Sequence, residues 1–181
     1  MSSLKFLLPV CAFALLYISC DLEAIPPALD IQGESGYTYS ESKSKWLQMK
    51  KEKGDSYNYK VQEISWTGHG NNTLITIVNG KAVARTYQEF FMDPDTGSIE
   101  NGYGYSETKV DLGKNEAGAR PWTIDHLYSI CLAEYLVVDD ESNTIFFDTD
   151  EEGILTSCGF VPDDCADDCF TGITLVQFNW L

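Results

Sequence analysis

The feature of this sequence that most constrains its fold is the dipeptide Asn79-Gly80, which lies between two strand-like runs. Residues 73–78 are mostly β-branched, and residues 81–91 continue as a matching partner. Asn and Gly tolerate the positive φ angles that a two-residue type I′ turn requires. The sequence therefore predicts a β-hairpin here, and with it an antiparallel sheet.

Other segments predict further strands of the same sheet. Residues 57–61 alternate apolar and polar side chains, and a shift of the apolar parity to Ile64 predicts a β-bulge near residues 62–63. Residues 93–97 have turn chemistry, and the stretch Asn-Gly-Tyr-Gly-Tyr at 101–105 predicts a loop or edge strand before a strand at 106–112. Strands are also predicted at 143–147, 154–160 and 172–180.

Two helices are predicted. The first spans 42–53, with Ser42 as N-cap, Gly54 as its stop, and a lysine-rich face that we expect near the acidic last third of the chain. The second opens at Thr123 and carries one apolar stripe: Ile124, Leu127, Tyr128, Cys131, Leu132, Tyr135 and Leu136. The order of helix, three strands, helix, three strands predicts an α+β fold, with a single antiparallel sheet covered by helices on one face.

The N-terminal segment predicts export. Residues 1–20 contain one lysine followed by an apolar stretch of the length found in a signal peptide, too short for a membrane span. We expect a flexible N-terminal arm at 21–41 and one α+β domain at 42–181. An alternative is a bacterial lipoprotein acylated at Cys20, because Ile-Ser-Cys at 18–20 resembles the end of a lipobox.

Charge narrows the classes of partner. The chain has 12 Lys and Arg against 28 Asp and Glu, a formal net charge of -16, which argues against nucleic-acid binding because phosphate recognition needs a basic surface. Thirteen of the acidic residues follow Arg120, and no Lys or Arg does. This regional excess points to cations or a mineral surface as a partner.

Four cysteines remain after Cys11 and Cys20 leave with the signal peptide: Cys131, Cys158, Cys165 and Cys169. In an oxidising compartment they predict two disulfides, with three connectivities open. We expect Cys165 and Cys169 to close a local loop and Cys131 and Cys158 to join a helix to a strand. A zinc site is the alternative, although the cysteine spacing does not match a usual finger or ribbon.

Several polar segments are candidate sites. Asp163, Asp164, Asp167 and Asp168 crowd around two of the cysteines, and crowded carboxylates predict weak calcium binding. Residues 148–154 resemble the start of an EF-hand loop, but Gly159 stands at position twelve, so a hairpin turn is expected instead. Asn71 begins a sequon for N-glycosylation in a predicted turn.

No pattern of catalytic residues is evident. The histidines are His69, in a predicted turn, and His126, at an exposed position of the second helix. The sequence contains no nucleophile elbow, HExxH or GxGxxG motif. It therefore predicts a non-enzymatic protein. No cofactor is predicted other than the calcium considered above.

Two resemblances add to these predictions. Trp46, Tyr57-Asn-Tyr59, the 76–83 hairpin and Thr123-Ile-Asp-His-Leu-Tyr128 resemble a small secreted domain family of unknown function found in bacterial lipoproteins. That resemblance implies the α+β sheet and no catalytic residue, but the family lacks the four cysteines and tends to have Gly-Tyr-Pro at 153–155. The signal peptide, low pI and Asp-rich cysteine segment resemble acidic skeletal and shell matrix proteins of marine invertebrates, which implies contact with calcium carbonate.

These observations favour an exported component of a calcified extracellular matrix, whose carboxylates at 139–168 contact calcium, calcium carbonate mineral or matrix proteins. One alternative is a secreted, inhibitor-like module that binds a ligand or protein through residues 101–105. Another is a lipid-anchored envelope protein.

Overall fold

The computed structural model describes Ala28, residues 30–167 and residues 169–181. The predicted signal peptide, residues 21–27 and 29 of the predicted arm, and Asp168 lie outside these described residues. In chain order the elements are α1 (Tyr39–Lys53), β1 (Tyr57–Ile64), β2 (His69–Val78), β3 (Lys81–Met92), β4 (Ile99–Thr108), α2 (Ile124–Ile130), a π-helical turn (Cys131–Tyr135), β5 (Asn143–Thr149), β6 (Leu155–Pro162) and β7 (Thr171–Trp180).

The strands form one antiparallel sheet in the order β4-β3-β2-β1-β7-β6-β5, which confirms the predicted α+β fold class. Four strands separate the helices where the predicted order had three, and the fourth, β4, contains the Gly-Tyr stretch at 101–105 together with the start of the strand predicted at 106–112. The strand predicted at 106–112 ends at Thr108, where the backbone N–H donates to Asp111 Oδ1 at 2.7 Å. A side-chain acceptor of this kind turns the backbone out of the sheet.

The hairpin prediction is confirmed. Asn79 and Gly80 connect β2 to β3 with φ angles of 50° and 72°. The predicted bulge near residues 62–63 is displaced, since the register of β1 with β2 is regular and its irregularity with β7 falls between Lys60 and Val61.

Helix α1 begins earlier than predicted. Thr38 is the N-cap: its hydroxyl accepts from the Glu41 N–H at 3.2 Å, and the Glu41 carboxylate accepts from the Thr38 N–H at 2.9 Å. The prediction of Ser42 as N-cap was wrong, because Ser42 lies inside the helix and its buried hydroxyl donates to the Gly153 carbonyl at 2.8 Å. Residues 39–41 of the predicted arm therefore belong to the helix.

Helix α2 starts where the sequence indicated. The Thr123 side chain accepts from the His126 N–H, and the buried stripe of the helix continues through the π-helical turn that begins at Cys131. No helix within the described residues is long and apolar enough to cross a membrane.

Aromatic side chains join the helices to the sheet. Trp46 of α1 is fully buried against Tyr57, Phe178 and Trp180, with ring centroids 5.2–5.8 Å apart. The Tyr57 hydroxyl accepts from the Ile124 N–H at the start of α2, at 3.0 Å. Tyr57 thus contacts both helices from the centre of the sheet.

The lysines of α1 approach acidic residues of the last third of the chain, as predicted. Lys50 Nζ lies 2.8 Å from Asp125 Oδ2, and Lys53 Nζ lies 3.8 Å from Glu152 Oε2. The Lys53 pair is exposed and contributes little to stability.

Both predicted disulfides are present. Cys131 in the π-helical turn bonds Cys158 in β6, and Cys165 bonds Cys169 in the loop after β6. The zinc alternative is wrong, because all four of these sulfurs are engaged in disulfides.

Candidate functional site

Two acidic loops meet at one end of the β5–β6 pair. Asn143 pairs with Pro162, so the start of β5 lies beside the end of β6. Beyond this pair the Asp163 N–H donates to the Ser142 carbonyl at 3.0 Å. We call this surface the acidic end and define it by its described carboxylates: Asp139, Asp140, Glu141, Asp163, Asp164 and Asp167.

Two of these carboxylates hold the loops in place. Asp139 Oδ2 accepts from the Ser142 hydroxyl at 2.8 Å, and Asp163 Oδ1 accepts from the Thr144 hydroxyl at 2.9 Å. The other four side chains are exposed, and their carboxylates have no hydrogen-bond or ion-pair partner among the described residues. Their negative charge is therefore open to an external cation.

The predicted calcium segment is only partly described. Asp163, Asp164 and Asp167 lie in or beside the loop closed by Cys165–Cys169, whereas Asp168 lies outside the described residues. Across the part of the chain that the structure describes, no group of three or more His, Cys, Asp or Glu side chains converges tightly enough to hold a metal ion. A calcium site here stays a prediction, and the described carboxylates form a spread surface.

The other acidic loop behaves as the sequence predicted. Residues 150–154 connect β5 to β6, and Asp150 Oδ1 accepts from the backbone N–H groups of Glu152 and Ile154. Asp150 therefore closes a hairpin turn with the oxygen that an EF-hand would offer to calcium.

Asn71 lies in strand β2 and not in the predicted turn. Its side-chain amide donates to Glu63 Oε2 at 2.8 Å, and the buried sequon hydroxyl of Thr73 accepts from the Ala119 N–H at 3.0 Å. Glycosylation of Asn71 stays a prediction.

The two tyrosines of the Gly-Tyr stretch differ in their surroundings. Strand β4 is an edge of the sheet, and Tyr103 on it is 61% exposed. The Tyr105 ring stacks on Tyr87 with centroids 5.1 Å apart, and its hydroxyl donates to the Ala117 carbonyl. Tyr103 is available to a partner, whereas Tyr105 belongs to the packing of the loop that follows β4.

A buried ion pair under that loop was not predicted. Arg85 and Glu107 are opposite each other on β3 and β4, with Nε and Oε2 2.8 Å apart and exposures of 2% and 1%. The Arg85 guanidinium also donates to the carbonyls of Asn115 and Ala119, at 2.6 and 3.1 Å. A regular ladder counted from Asn79-Gly80 would place Arg85 opposite Leu74, but a register shift between Thr76 and Ile77 sets it opposite the buried Ile75, so the hairpin signal alone does not reveal the pair.

The Glu107 carboxylate is surrounded by donors. Burial alone favours its neutral form, but the Arg85 guanidinium, the N–H groups of Asn115 and Gly113, and the Asn115 side-chain amide all stabilise the charge and hold its pKa at about 2. The pair thereby fastens the loop at 113–119 to the sheet.

Strands β1 and β7 are paired along only part of their length, which leaves an opening in the sheet. Their ladder ends at the pair Val61–Leu175, so residues 62–64 of β1 have no partner on β7. Cavities of about 480 and about 140 Å³ lie at this opening, and both are lined by Val61, Glu63 and Gly172.

We call the smaller one the inner cavity. Apart from the shared residues, its walls carry the side chains or backbone of Tyr59, Ala119, Arg120, Trp122, Leu127, Tyr135 and Ile173. Tyr59 and Trp122 are fixed to each other, since the Tyr59 hydroxyl donates to the Trp122 carbonyl at 2.5 Å. Aromatic and aliphatic groups form most of the lining, with two charged side chains, Glu63 and Arg120.

The histidines lie against aromatic rings. His69 is 4.9 Å from Phe91 and His126 is 4.7 Å from Trp122, measured between ring centroids. His126 is exposed, as predicted, and His69 begins β2 and does not lie in a turn.

No protein-family model, curated protein or solved structure matches this chain significantly. The two resemblances drawn from the sequence therefore stay predictions.

Proposed function

We propose that this is an exported, non-enzymatic protein of a calcified extracellular matrix that contacts calcium-bearing mineral through its acidic end. The observation that carries the proposal is the pairing of Asn143 with Pro162, which joins two acidic loops that are distant in sequence. Four exposed carboxylates there have no partner among the described residues: Asp140, Glu141, Asp164 and Asp167.

The spacing of these carboxylates favours a surface over a single bound ion. Calcium takes six to eight oxygen ligands, and a chelating site must bring several of them to one point. A mineral face presents many calcium ions at once, so carboxylates spread over two loops contribute several weak contacts together. No ion pair with a Lys or Arg of the described residues offsets the repulsion among the carboxylates of the acidic end.

The disulfides support the extracellular part of the proposal. Cys131–Cys158 and Cys165–Cys169 need an oxidising compartment to persist, and exported proteins are the usual place for such bonds. Closure of the 165–169 loop also limits the freedom of the acidic residues beside it.

Adsorption to calcium carbonate crystals tests the proposal directly. The variant Asp140→Asn, Glu141→Gln, Asp164→Asn and Asp167→Asn removes four charges from the acidic end without removing the loop-holding carboxylates. A matched control removes four exposed charges elsewhere: Glu34→Gln, Asp95→Asn, Glu100→Gln and Glu116→Gln. We expect the first variant to lose about tenfold or more in adsorption affinity and the control to stay near the wild type.

Equal losses in the two variants would show that only total charge matters, and no adsorption of the wild-type protein would refute the mineral contact. Calorimetry with calcium on the oxidised protein is the companion measurement. Weak, multi-site heat at about millimolar calcium is expected.

A second candidate function is suggested by Tyr103. This side chain is exposed on an edge strand, and edge strands are the usual place where an extended partner adds to a sheet. If the protein is a protein- or ligand-binding module, Tyr103→Ala should abolish capture of a matrix protein in calcium-free buffer. The control Val110→Ala, at another exposed position, should leave capture unchanged. Loss of capture on calcium removal alone would favour the acidic end instead.

A further inference from the structure

We propose that the inner cavity binds a small aromatic molecule that carries both an ammonium and a carboxylate group, with its ring between the sheet and helix α2. This site is separate from the acidic end and goes beyond the proposed mineral contact. Three features carry the proposal: the opening in the sheet, the aromatic lining, and two opposite charges without ion-pair partners.

The opening in the sheet explains why a cavity exists at this place. Strand β1 leaves β7 after Val61, while β7 stays paired with β6 through Thr171–Thr174. Side chains at the diverging ends cannot interlock as they do along a continuous ladder. Gly172, which borders the opening, has no side chain to fill it, and a Cβ there would lie 2.3 Å from the Cys158 carbonyl oxygen.

The size of the cavity fits a single aromatic ring. Its volume is about 140 Å³, and an apolar cavity of about 150 Å³ accepts benzene. Leu127 and Ile173 supply aliphatic surface, and Tyr59, Trp122 and Tyr135 supply aromatic surface. Rings prefer edge-to-face or offset contacts with such walls.

A free carboxylate borders the cavity. Glu63 is exposed and accepts a hydrogen bond from the Asn71 side-chain amide, and no Lys, Arg or His nitrogen of the described residues lies within ion-pair distance of it. It is therefore open to the ammonium of a ligand.

Arg120 is the other charged residue that lines the cavity. Arg120 lies 5.6 Å from the centre of the Trp122 ring, and no carboxylate within the described ranges reaches it at ion-pair distance. An unpaired arginine is unusual in a chain of net charge -16. Its planar donors suit the two oxygens of a ligand carboxylate.

The test is a titration of the full chain with L-phenylalanine, followed by Trp fluorescence and by NMR shifts of the Tyr59 and Trp122 rings. Three analogues separate the groups: phenethylamine lacks the carboxylate, 3-phenylpropionate lacks the ammonium, and 2-phenylethanol lacks both. We expect saturable binding of phenylalanine with a Kd below about 10 mM, and weakening of about fivefold or more on loss of either charge.

Substitutions at two exposed residues test which side chain recognises each charged group of the ligand. Arg120→Gln should remove the preference for phenylalanine over phenethylamine, and Glu63→Gln the preference over 3-phenylpropionate. Lys109→Gln and Glu100→Gln are controls for charge, and neither residue borders the cavity.

Absence of a saturable shift with phenylalanine overturns the proposal. Equal binding of 2-phenylethanol also overturns it, because the two charges would then have no part in recognition. Unchanged preferences in both variants would place any binding elsewhere on the molecule.

Discussion

At the scale of single residues, the ion pair between Arg85 and Glu107 is the most consequential feature of this protein. Taking two charges out of water costs several kcal/mol for each ion, and the pair is tolerated because all its groups find partners. Its carboxylate receives donors from the loop at 113–115, and its guanidinium donates to loop carbonyls. The pair therefore connects the stability of β3 and β4 to the position of that loop.

Replacing one member should be costly. Glu107→Gln leaves the Arg85 charge buried without a counter-charge, and we expect a loss of about 3–5 kcal/mol in the free energy of unfolding. Urea unfolding at neutral pH measures it. The exposed Glu100→Gln on the same strand is the matched control and should change stability by no more than about 0.5 kcal/mol.

Replacing both members distinguishes a buried charge from a general packing defect. Arg85→Met with Glu107→Leu removes both charges, so the double variant should be more stable than Glu107→Gln alone. A double variant as unstable as the single one would mean that loop hydrogen bonds, and not the charge, dominate.

The same pair predicts an acid dependence of stability. The pKa of Glu107 is about 2 in the folded protein, below the ordinary value of 4.5, so the unfolded chain binds the proton first as the pH falls. Its contribution to stability is complete above pH 4.5 and is lost as the pH falls towards 2. The measurement is thermal unfolding of the wild type and of Glu107→Gln across this pH range. The difference between their melting temperatures should shrink at low pH.

Residue identity predicted some of these features and missed others. The cysteine count together with the predicted export predicted two disulfides, but it left three connectivities open. The role of Arg85 was missed because a charged side chain in a strand is ordinarily expected on the solvent side. Only register, together with a loop folded over the strand, places it inside.

At the scale of elements, the boundaries of α1 show how capping and tertiary contacts compete in a sequence. Thr38 and Ser42 both precede residues that suit a helix, and Glu41 three positions after Thr38 completes a capping box. Ser42 instead contacts the Tyr128 hydroxyl at 2.6 Å and the Gly153 carbonyl. The contacts of Ser42 depend on residues distant in sequence, so no local pattern indicates that Ser42 lies inside the helix.

Thr38→Ala should remove the cap and cost about 1 kcal/mol, because the Glu41 N–H loses its acceptor, the Thr38 hydroxyl. Chemical denaturation followed by circular dichroism is the measurement. Ser40→Ala, at an exposed position of the same turn, should be neutral or slightly stabilising, since alanine is the better helix former. Equal effects at the two positions would argue against the cap.

Strand β4 was the least predictable element. Its glycines and mostly exposed residues lack the apolar alternation that identifies a half-buried strand. Backbone pairing with β3 forms it nonetheless, and only Tyr105 and Glu107 turn towards the interior. An edge strand needs one partner only, so its sequence carries a weaker signal.

At the scale of the whole molecule, the disulfides differ in how much chain they constrain. Cys131–Cys158 spans 27 residues and joins the helical region to β6, whereas Cys165–Cys169 spans 4. Loop-closure entropy predicts losses of about 3.5 kcal/mol and about 2 kcal/mol for the paired Cys→Ala variants. Urea unfolding of both variants under oxidising conditions tests the order, and a larger loss from the short loop would contradict it.

The position of β7 has a consequence for the time course of folding. It is the last strand along the chain, yet it lies between β1 and β6. Strands β1–β4 can pair with one another once synthesised, but no strand connects them to the β5–β6 pair until residues 171–180 are present. Completion of the sheet is therefore a late, long-range pairing step that waits for the last strand of the chain.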